Sequence, residues 1–254
     1  MYKNILMIGT LFTRSGEGLS RDIRTVSERG HRPRPVISGI DSAGEPKIQK
    51  KDAHFIPEEM IQSQIDKSFE VWPIHAVKTG YIGRASHITA AARVLEKKRK
   101  IYSFPIIVDP AILNYDGSQN YGSPGMQALK RDLIIQADII TPSVEEAEIL
   151  SGIHIRDPDQ LREAAAILLT LGPKAVLVRG GHFGEDYAMD VLVTENAEMT
   201  FKQPRLMKEN IGGVKGYGSV IASVIASGLA EGQPYSKTID DALTHVQSTF
   251  LSDL

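Results

Sequence analysis

Short apolar runs alternate with segments of helical periodicity along most of this chain. The runs lie at 5–8, 35–40, 74–77, 106–108, 138–140 and 175–178. Parallel strands that are buried on both faces are apolar throughout, and each needs a crossover, usually helical, to reach the next strand. The alternation therefore predicts an α/β protein with a doubly wound, mostly parallel sheet that is flanked by helices.

Two of the crossover helices show one apolar face each, and they are predicted at 84–100 and 158–171. Two other regions break the rhythm of strand and helix. The polar segment 41–57 predicts a small flap over a pocket, and the alternating segment 187–201 predicts a hairpin that forms an antiparallel edge. Since no repeat or linker divides the chain, we expect one domain over residues 1–254.

Composition excludes several classes of function. The formal net charge of -2 gives no long-range attraction for nucleic acid. The chain has no cysteine, which rules out disulfides and thiolate metal sites, and its seven histidines lack the spacing of a zinc site. The apolar run near the N-terminus is too short for a membrane span and is interpreted as the first strand. We therefore expect a cytoplasmic protein without a nucleic-acid or membrane partner.

Open α/β sheets bind ligands at the carboxyl ends of their strands, so the polar residues that follow each run are the candidate site. Lys78 and Arg179 stand there as cations for phosphate groups, unless they are ordinary surface cations. Asp109 and Glu146 stand there as carboxylates for a magnesium ion. The alternative for these two acids is a turn cap and a first-turn helical residue.

A glycine turn stands before the last long apolar helix. Its residues are Gly216, Tyr217, Gly218 and Ser219. A glycine turn that opens a helix directs unpaired backbone N–H groups at one point, where the helix dipole also favours an anion. The sequence thus predicts either a phosphate site or a turn that merely allows close packing.

Several motifs follow one another in a characteristic order. They are A-V-K-T-G at 76–80, V-D-P at 108–110, T-P-S-V-E-E-A-E-I-L at 141–150, A-V-L-V-R-G-G-H at 175–182, M-D-V-L-V at 189–193 and the glycine turn at 216–219. G-L-S-R-D at 18–22 matches a Gly-Ile-Gln-Ala-Asp segment. Together they resemble the hydroxymethylpyrimidine/phosphomethylpyrimidine kinases of thiamin synthesis, which belong to the ribokinase-like superfamily. The resemblance implies a ribokinase-like fold, ATP with Mg2+ as cofactors, a small-molecule substrate and a homodimer.

The resemblance also implies roles for single residues. The glycine turn is implied to form the anion hole for the transferring phosphoryl group, and Asp109 and Glu146 to lie near the metal. Residues that are implied to contact the nucleotide are Arg179, Gly181 and Ser143. Residues that match the substrate side of the family are Thr10, Asp41, Ala43 and Tyr81.

The chain departs from the family pattern on both sides of the site. Ser219 stands where the family has a cysteine, and a serine hydroxyl is a much weaker base than a thiolate. Lys78 or a metal-bound water would therefore have to take over the role of the missing base. On the substrate side, Leu11 replaces an acid, Ala43 a ring-binding glutamine and Tyr81 a methionine. Ser143 in turn replaces an asparagine.

Three hypotheses follow from this combination. The first is a phosphomethylpyrimidine or vitamin B6 type kinase with an altered substrate site. The second is a catalytically weak or inactive relative that binds a phosphorylated small molecule or a protein partner. The third is a sugar or nucleoside kinase, which is disfavoured because the chain lacks their Gly-Ala-Gly-Asp turn.

Overall fold

We describe the fold from a computed structural model, for residues 1–13, 16–41, 53–114, 117–181, 187–204 and 216–251. The strands are β1 (Asn4–Phe12), β2 (Arg32–Asp41), β3 (Ala53–Phe55), β4 (Ile74–Thr79), β5 (Ile106–Val108), β6 (Ile139–Ile140), β7 (Ala175–Gly181), β8 (Tyr187–Thr194) and β9 (Glu198–Pro204). The helices are α1 (Leu19–Glu28), α2 (Glu58–Val71), α3 (Ala85–Arg99), α4 (Ser123–Ala128), α5 (Val144–Ser151), α6 (Pro158–Leu169), α7 (Tyr217–Ala230) and α8 (Tyr235–Leu251).

The described strands form one nine-stranded sheet in the order β3-β2-β1-β4-β5-β6-β7-β8-β9. Strands β2, β1, β4, β5, β6 and β7 pair in parallel. Strands β3, β8 and β9 pair antiparallel at the two edges. The doubly wound sheet, its helices and its antiparallel edge are thereby confirmed.

The helices cover both faces of the sheet, as the apolar runs require. Ile5 and Met7 of β1 pack in one core cluster with α1, α7 and α8. Leu6 and Ile8 pack in the other cluster with α2, α3, α5 and α6. Because successive side chains of a strand point to opposite faces, a strand buried on both sides has to be apolar at every position. The two helices predicted from their apolar faces, α3 and α6, are also confirmed.

The strand order reverses between β1 and β4, since the chain builds outward in opposite directions from this pair. The carboxyl ends of the two strands are joined by backbone hydrogen bonds from Gly80 N to Ile8 O at 3.0 Å and from Thr10 N to Tyr81 O at 2.8 Å. A reversal of this kind opens a crevice where open α/β sheets bind ligands. The crevice lies at the edge where the sequence predicts the site.

The flap predicted at 41–57 is described only in part. Strand β3 pairs with the end of β2, from Gly39 to Asp41. Residues 42–52, and with them Ala43, lie outside the described residues.

None of the described helices is long and apolar enough to cross a membrane.

Candidate active site

The glycine turn lies at the start of α7. Gly216 has φ 92° and ψ 16°, a left-handed conformation that glycine adopts without steric cost, and α7 begins at Tyr217. In the part of the chain that the structure describes, no side chain caps this helix. The first N–H groups of an α-helix have no partner within the helix, so those of α7 can receive an anion.

Arg179 packs directly against this turn. A Cβ atom added to Gly218 would lie 2.9 Å from Nη2 of Arg179, so only glycine leaves room for the guanidinium group. Arg179 is only 7% exposed, and its Nε donates a hydrogen bond of 2.8 Å to the carbonyl of Thr141. The alternative interpretation of Arg179 as an ordinary surface cation is therefore wrong. The cation is fixed beside the helix start.

A buried carboxylate and a phenol share this corner with Arg179. Asp190 of β8 accepts a hydrogen bond of 2.5 Å from the backbone N–H of Gly180, and burial raises the pKa of Asp190 to about 6. Burial, and next the nearby charge of Asp190, raise the pKa of Tyr217 to about 12. Tyr217 is thus a neutral phenol at neutral pH.

Lys78 lies near the carboxyl end of β4 and is completely buried. Its Nζ lies 2.8 Å from both carboxylate oxygens of Asp22 and 3.7 Å from Oδ2 of Asp109. Asp22 also accepts a hydrogen bond of 2.9 Å from the hydroxyl of Ser223 on α7. The alternative interpretation of Lys78 as an ordinary surface cation is therefore wrong. Its positive charge is balanced inside the protein by the carboxylates of Asp22 and Asp109.

Asp109 directly follows β5, and Glu146 lies in the first turn of α5, which follows the neighbouring strand β6. Burial, and next the charge of Asp109, raise the pKa of Glu146. Glu146 accepts hydrogen bonds from the N–H groups of Ile112 at 2.7 Å and Ser143 at 3.0 Å. It forms a capping box with Ser143, so its alternative role in the first helical turn is confirmed.

These two acids fit a magnesium ion. Mg2+ usually takes one or two protein carboxylates and completes its shell with water and substrate phosphates. Asp109 would supply a direct oxygen, and Glu146, whose oxygens already accept backbone N–H groups, would act through water. Within the described residues no group of three His, Asp or Glu side chains could enclose a metal alone.

Ser143 and Arg179 lie side by side where β6 and β7 end. They form an isolated parallel bridge, and the N–H of Arg179 donates to the carbonyl of Pro142 at 3.0 Å. The hydroxyl of Ser143 accepts from Glu146 N and donates to Oε2 of Glu145. Gly181 is the last residue of β7, two positions beyond Arg179. The three residues assigned to the nucleotide therefore share one corner.

Aromatic rings surround Tyr81 on the other side of the crevice. The centroid of the Tyr81 ring lies 5.2 Å from that of Tyr121 and 6.4 Å from those of Phe12 and Phe55. Burial and the nearby charge of Asp41 raise the pKa of Tyr81. Tyr81 is half-buried, so part of its ring faces solvent. The four rings (the aromatic cluster below) are tilted against one another, and all except the buried Tyr121 present apolar surface beside one carboxylate.

The remaining substrate-side residues differ in access. Thr10 is 1% exposed, and its hydroxyl lies 3.2 Å from that of Ser38. The side chain of Asp41 is half-buried, and its backbone carbonyl accepts hydrogen bonds from the N–H and hydroxyl of Thr13. Thr10 supports the strand ends, whereas the side chain of Asp41 is partly open to solvent.

Sequence reasoning missed the residues that hold the cations in place. Asp22 pairs with Lys78 across 56 positions, and Ser223 reaches Asp22 across 201. The sequence could have indicated Asp22, because it is the acid of the G-L-S-R-D motif, and Asp190, because it is the acid of M-D-V-L-V. Nothing in the sequence indicated Ser223, because a serine in a helix of small residues is typical of close packing.

Comparison with protein families decides which of the related kinases this chain resembles. The model of the phosphomethylpyrimidine kinase family matches residues 13–254. The chain belongs to this family. A hydroxymethylpyrimidine/phosphomethylpyrimidine kinase of Streptomyces coelicolor is 28% identical over 231 residues, covering 91% of this chain and 82% of that protein. A thiamine biosynthesis bifunctional protein of Geobacter sulfurreducens is 30% identical over 96% of this chain, which spans only 48% of that longer protein.

Solved structures agree with the family and with the ribokinase-like fold. A phosphomethylpyrimidine kinase from Clostridium difficile superposes with a TM-score of 0.82 at 27% identity, covering 97% of this chain and 99% of the other. A pyridoxal kinase from Staphylococcus aureus in complex with ADP has a TM-score of 0.85 at 22% identity, over 99% of this chain and 89% of the other. The second likeness shows the fold alone. The family member described here thus has the architecture expected from its motifs.

Proposed function

We propose that this phosphomethylpyrimidine kinase family member transfers a phosphoryl group from ATP to a hydroxymethyl or phosphomethyl group on a small aromatic ring. One observation carries the proposal. At the carboxyl edge of the sheet, the start of α7, the Arg179 guanidinium and the carboxylates of Asp109 and Glu146 occupy neighbouring positions. Phosphoryl transfer depends mainly on positioning and charge neutralisation, which this set supplies.

The glycine turn and Arg179 bind the transferring group. In the reaction, the hydroxymethyl oxygen, or a phosphate oxygen of a monophosphate substrate, forms a bond to the γ-phosphorus. The bond from this phosphorus to the bridging oxygen breaks, and its electron pair leaves with ADP. Arg179 and the first N–H groups of α7 stabilise the negative charge on the phosphoryl oxygens.

Asp109 and Glu146 would hold Mg2+, which neutralises phosphate charge when bound. Asp109 depends on Lys78, because the buried ammonium group lies 3.7 Å from its carboxylate. We therefore assign Lys78 a positioning role instead of the relief of a missing base, since its Nζ contacts Asp22 and is closed off from a substrate. Lys78 fixes Asp109 and ties α1 to the sheet.

Proton removal does not need a strong base in this arrangement. Ser219 cannot act as a base at neutral pH, because a hydroxyl loses its proton only at very high pH. In a loose transition state the attacking hydroxyl becomes acidic late, when its bond to phosphorus is forming. The proton then passes to water or to a phosphoryl oxygen.

The ring substrate binds against the aromatic cluster. Tyr81, Phe12 and Phe55 provide apolar surface for a flat ring, and Asp41 provides a carboxylate acceptor for a ring N–H or amino group. Tyr81 stands where the family pattern has a flexible methionine, so this surface is larger and stiffer. We infer a substrate site that is altered in shape. The homodimer expected from the family stays a prediction, which sedimentation equilibrium would test.

A direct assay tests the proposal. Purified protein is mixed with ATP, Mg2+ and one of three substrates: hydroxymethylpyrimidine, its monophosphate or pyridoxal. We expect ADP release above the substrate-free rate with at least one of them. The Streptomyces coelicolor relative serves as the positive control. Background rates with all three, while the control turns over, would contradict the proposal.

The second candidate, a non-catalytic binding protein, is favoured by Ser219 and the altered ring site. The variants Ser219→Cys and Ser219→Asp separate the two. If the remaining site is that of a kinase, at least one of the two variants turns over above background. If both variants stay at background while they bind ATP, the binding protein is the correct conclusion.

A further inference from the structure

The side chain of Arg21 lies against the first residue of the glycine turn. Arg21 belongs to the first turn of α1, and its side chain is half-buried. A Cβ atom added to Gly216 would lie 3.4 Å from both Cγ and Nε of Arg21. The arginine side chain therefore passes directly over the residue that begins the anion-binding turn.

The position of Arg21 is fixed by its neighbour in the chain. Asp22 is 1% exposed and is bonded both to Lys78 of β4 and to Ser223 of α7. These bonds anchor the first turn of α1 to the sheet and to the helix that carries the glycine turn. Arg21 is thus held at the turn by the backbone, which reduces the conformational entropy lost when it binds a ligand.

Arg179 brackets the same turn on its other end. Its Nη2 lies 2.9 Å from the position of a Cβ on Gly218, and only Nε has a hydrogen-bond partner in the described part of the chain. Among the described residues the two terminal nitrogens of this mostly buried guanidinium group have no hydrogen-bond partner, and neither is fully enclosed, so both can donate to an anion at the turn. This second observation indicates a ligand at the turn independently of the helix dipole.

We propose that Arg21 is a second phosphoryl-binding cation, which contacts the transferring group together with Arg179. The inference rests on the proposed phosphoryl transfer. The family pattern has alanine at this position of the Gly-Ile-Gln-Ala-Asp segment, so the contact is a property of this chain. Two guanidinium groups can each donate paired hydrogen bonds to phosphate oxygens. Together they place positive charge beside the phosphoryl oxygens, where negative charge develops during the transfer.

Substitutions of Arg21 test the assignment, with Arg24 as the matched control. Arg21→Met keeps the aliphatic stem over Gly216 and removes the charge, and Arg21→Lys restores the charge without the paired geometry. Arg24 lies on the same helix, but it is exposed and bonded to Glu28, so Arg24→Met removes a positive charge from the exposed surface of α1. Circular dichroism and melting curves check that all three variants fold.

Two readouts are measured on each variant, kcat and KM for ATP with the substrate that the wild type prefers, and calorimetric binding of inorganic pyrophosphate. For Arg21→Met we expect kcat to fall about 100-fold and KM for ATP to rise no more than about tenfold, since the charge contacts the bound phosphates but acts mainly in the transition state. Arg21→Lys should recover part of this loss. Pyrophosphate affinity should fall about tenfold in Arg21→Met, as expected for one lost charge-assisted contact.

The outcomes separate this inference from the proposed function. If the wild type is active and Arg21→Met behaves as Arg24→Met does, the inference is wrong and the kinase stands. If the wild type is inactive with every ring substrate but pyrophosphate binding weakens only in the Arg21 variant, the kinase fails and the assignment of Arg21 stands. Equal pyrophosphate affinity in both variants of an inactive protein, or no binding at all, overturns the assignment.

Discussion

The two halves of the carboxyl edge are built from different chemistry. At the ends of β5, β6 and β7 the side chains are charged and mostly buried, as Asp109, Glu146 and Arg179 show. Beside β1 and β4 the aromatic rings of Phe12 and Tyr81 contact one another and remain half-exposed. The charged half is held by ion pairs and backbone hydrogen bonds, whereas the aromatic half is held by ring contacts. We conclude that changes should be tolerated in the aromatic half and damaging in the charged half.

The largest effect is expected from the buried network under the charged half. Lys78→Met leaves Asp22 and Asp109 buried without a cation, which should lower the free energy of unfolding by about 3–5 kcal/mol. Urea unfolding measures this change. The control Lys67→Met breaks an exposed pair with Glu70 and should leave the midpoint unchanged. Equal urea midpoints for Lys78→Met and Lys67→Met would show that the charged half does not depend on its buried ion pairs.

The next effect concerns the glycine turn itself. Gly218→Ala places a methyl group 2.9 Å from the Arg179 guanidinium, which has to move. We expect kcat for phosphoryl transfer to fall by about 10²–10³-fold, the usual cost of losing one charge-stabilising contact. Gly122→Ala is the control, because its methyl group would meet only Pro124 at 3.9 Å. An unchanged kcat for Gly218→Ala would show that Arg179 is not part of the site.

A smaller effect should appear in the pH dependence of stability. Because the pKa of Asp190 is raised from 3.8 to about 6, the folded state binds its proton more tightly than the unfolded state does. The stabilisation due to Asp190 protonation is therefore present at low pH and is lost as the pH rises toward 6. Relative to Asp190→Asn, the wild type should lose about 2 kcal/mol of unfolding free energy between pH 4 and pH 7. Urea titrations of both proteins measure this, and a difference that is constant with pH would contradict it.

The smallest effect is expected on the aromatic side. Tyr81→Met restores the flexible side chain of the family pattern and should raise kcat/KM for hydroxymethylpyrimidine about tenfold, with KM for ATP unchanged. Tyr102→Met is the control, since this exposed tyrosine lies shortly before β5, at the opposite edge of the sheet. A change in KM for ATP as large as the change for the ring would show that the two halves are not separate.

The architecture could be predicted from the sequence because burial on both faces leaves a direct mark. Runs such as 5–8 and 175–178 are apolar at every position, and the alternation at 187–201 marks the antiparallel edge. The order of the motifs identified the family, because most of these motifs join a buried apolar strand to the polar residues that follow it. The extent of burial of Lys78 and Arg179 could not be predicted in this way.

Burial of a charge depends on partners that are distant in sequence. Lys78 is followed by Thr79 and Gly80 and looks like a cation at a strand end, but its partner Asp22 lies on a helix 56 positions earlier. No local periodicity encodes that pairing. The aromatic cluster was missed for the same reason, because Tyr81, Phe55 and Tyr121 are separated in the chain and meet only when the sheet edge forms.

The central claim is that Arg179 and the start of α7 bind the phosphates of a nucleotide. Calorimetric titration of ATP with Mg2+ into the wild type, Arg179→Met and the control Arg162→Met tests this claim without requiring turnover. Arg162 forms its ion pairs with Asp159 and Glu198, away from the turn. We predict that ATP binds the wild type and Arg162→Met alike and binds Arg179→Met at least about tenfold more weakly. Equal affinity in all three proteins, or no binding to the wild type, would contradict the account.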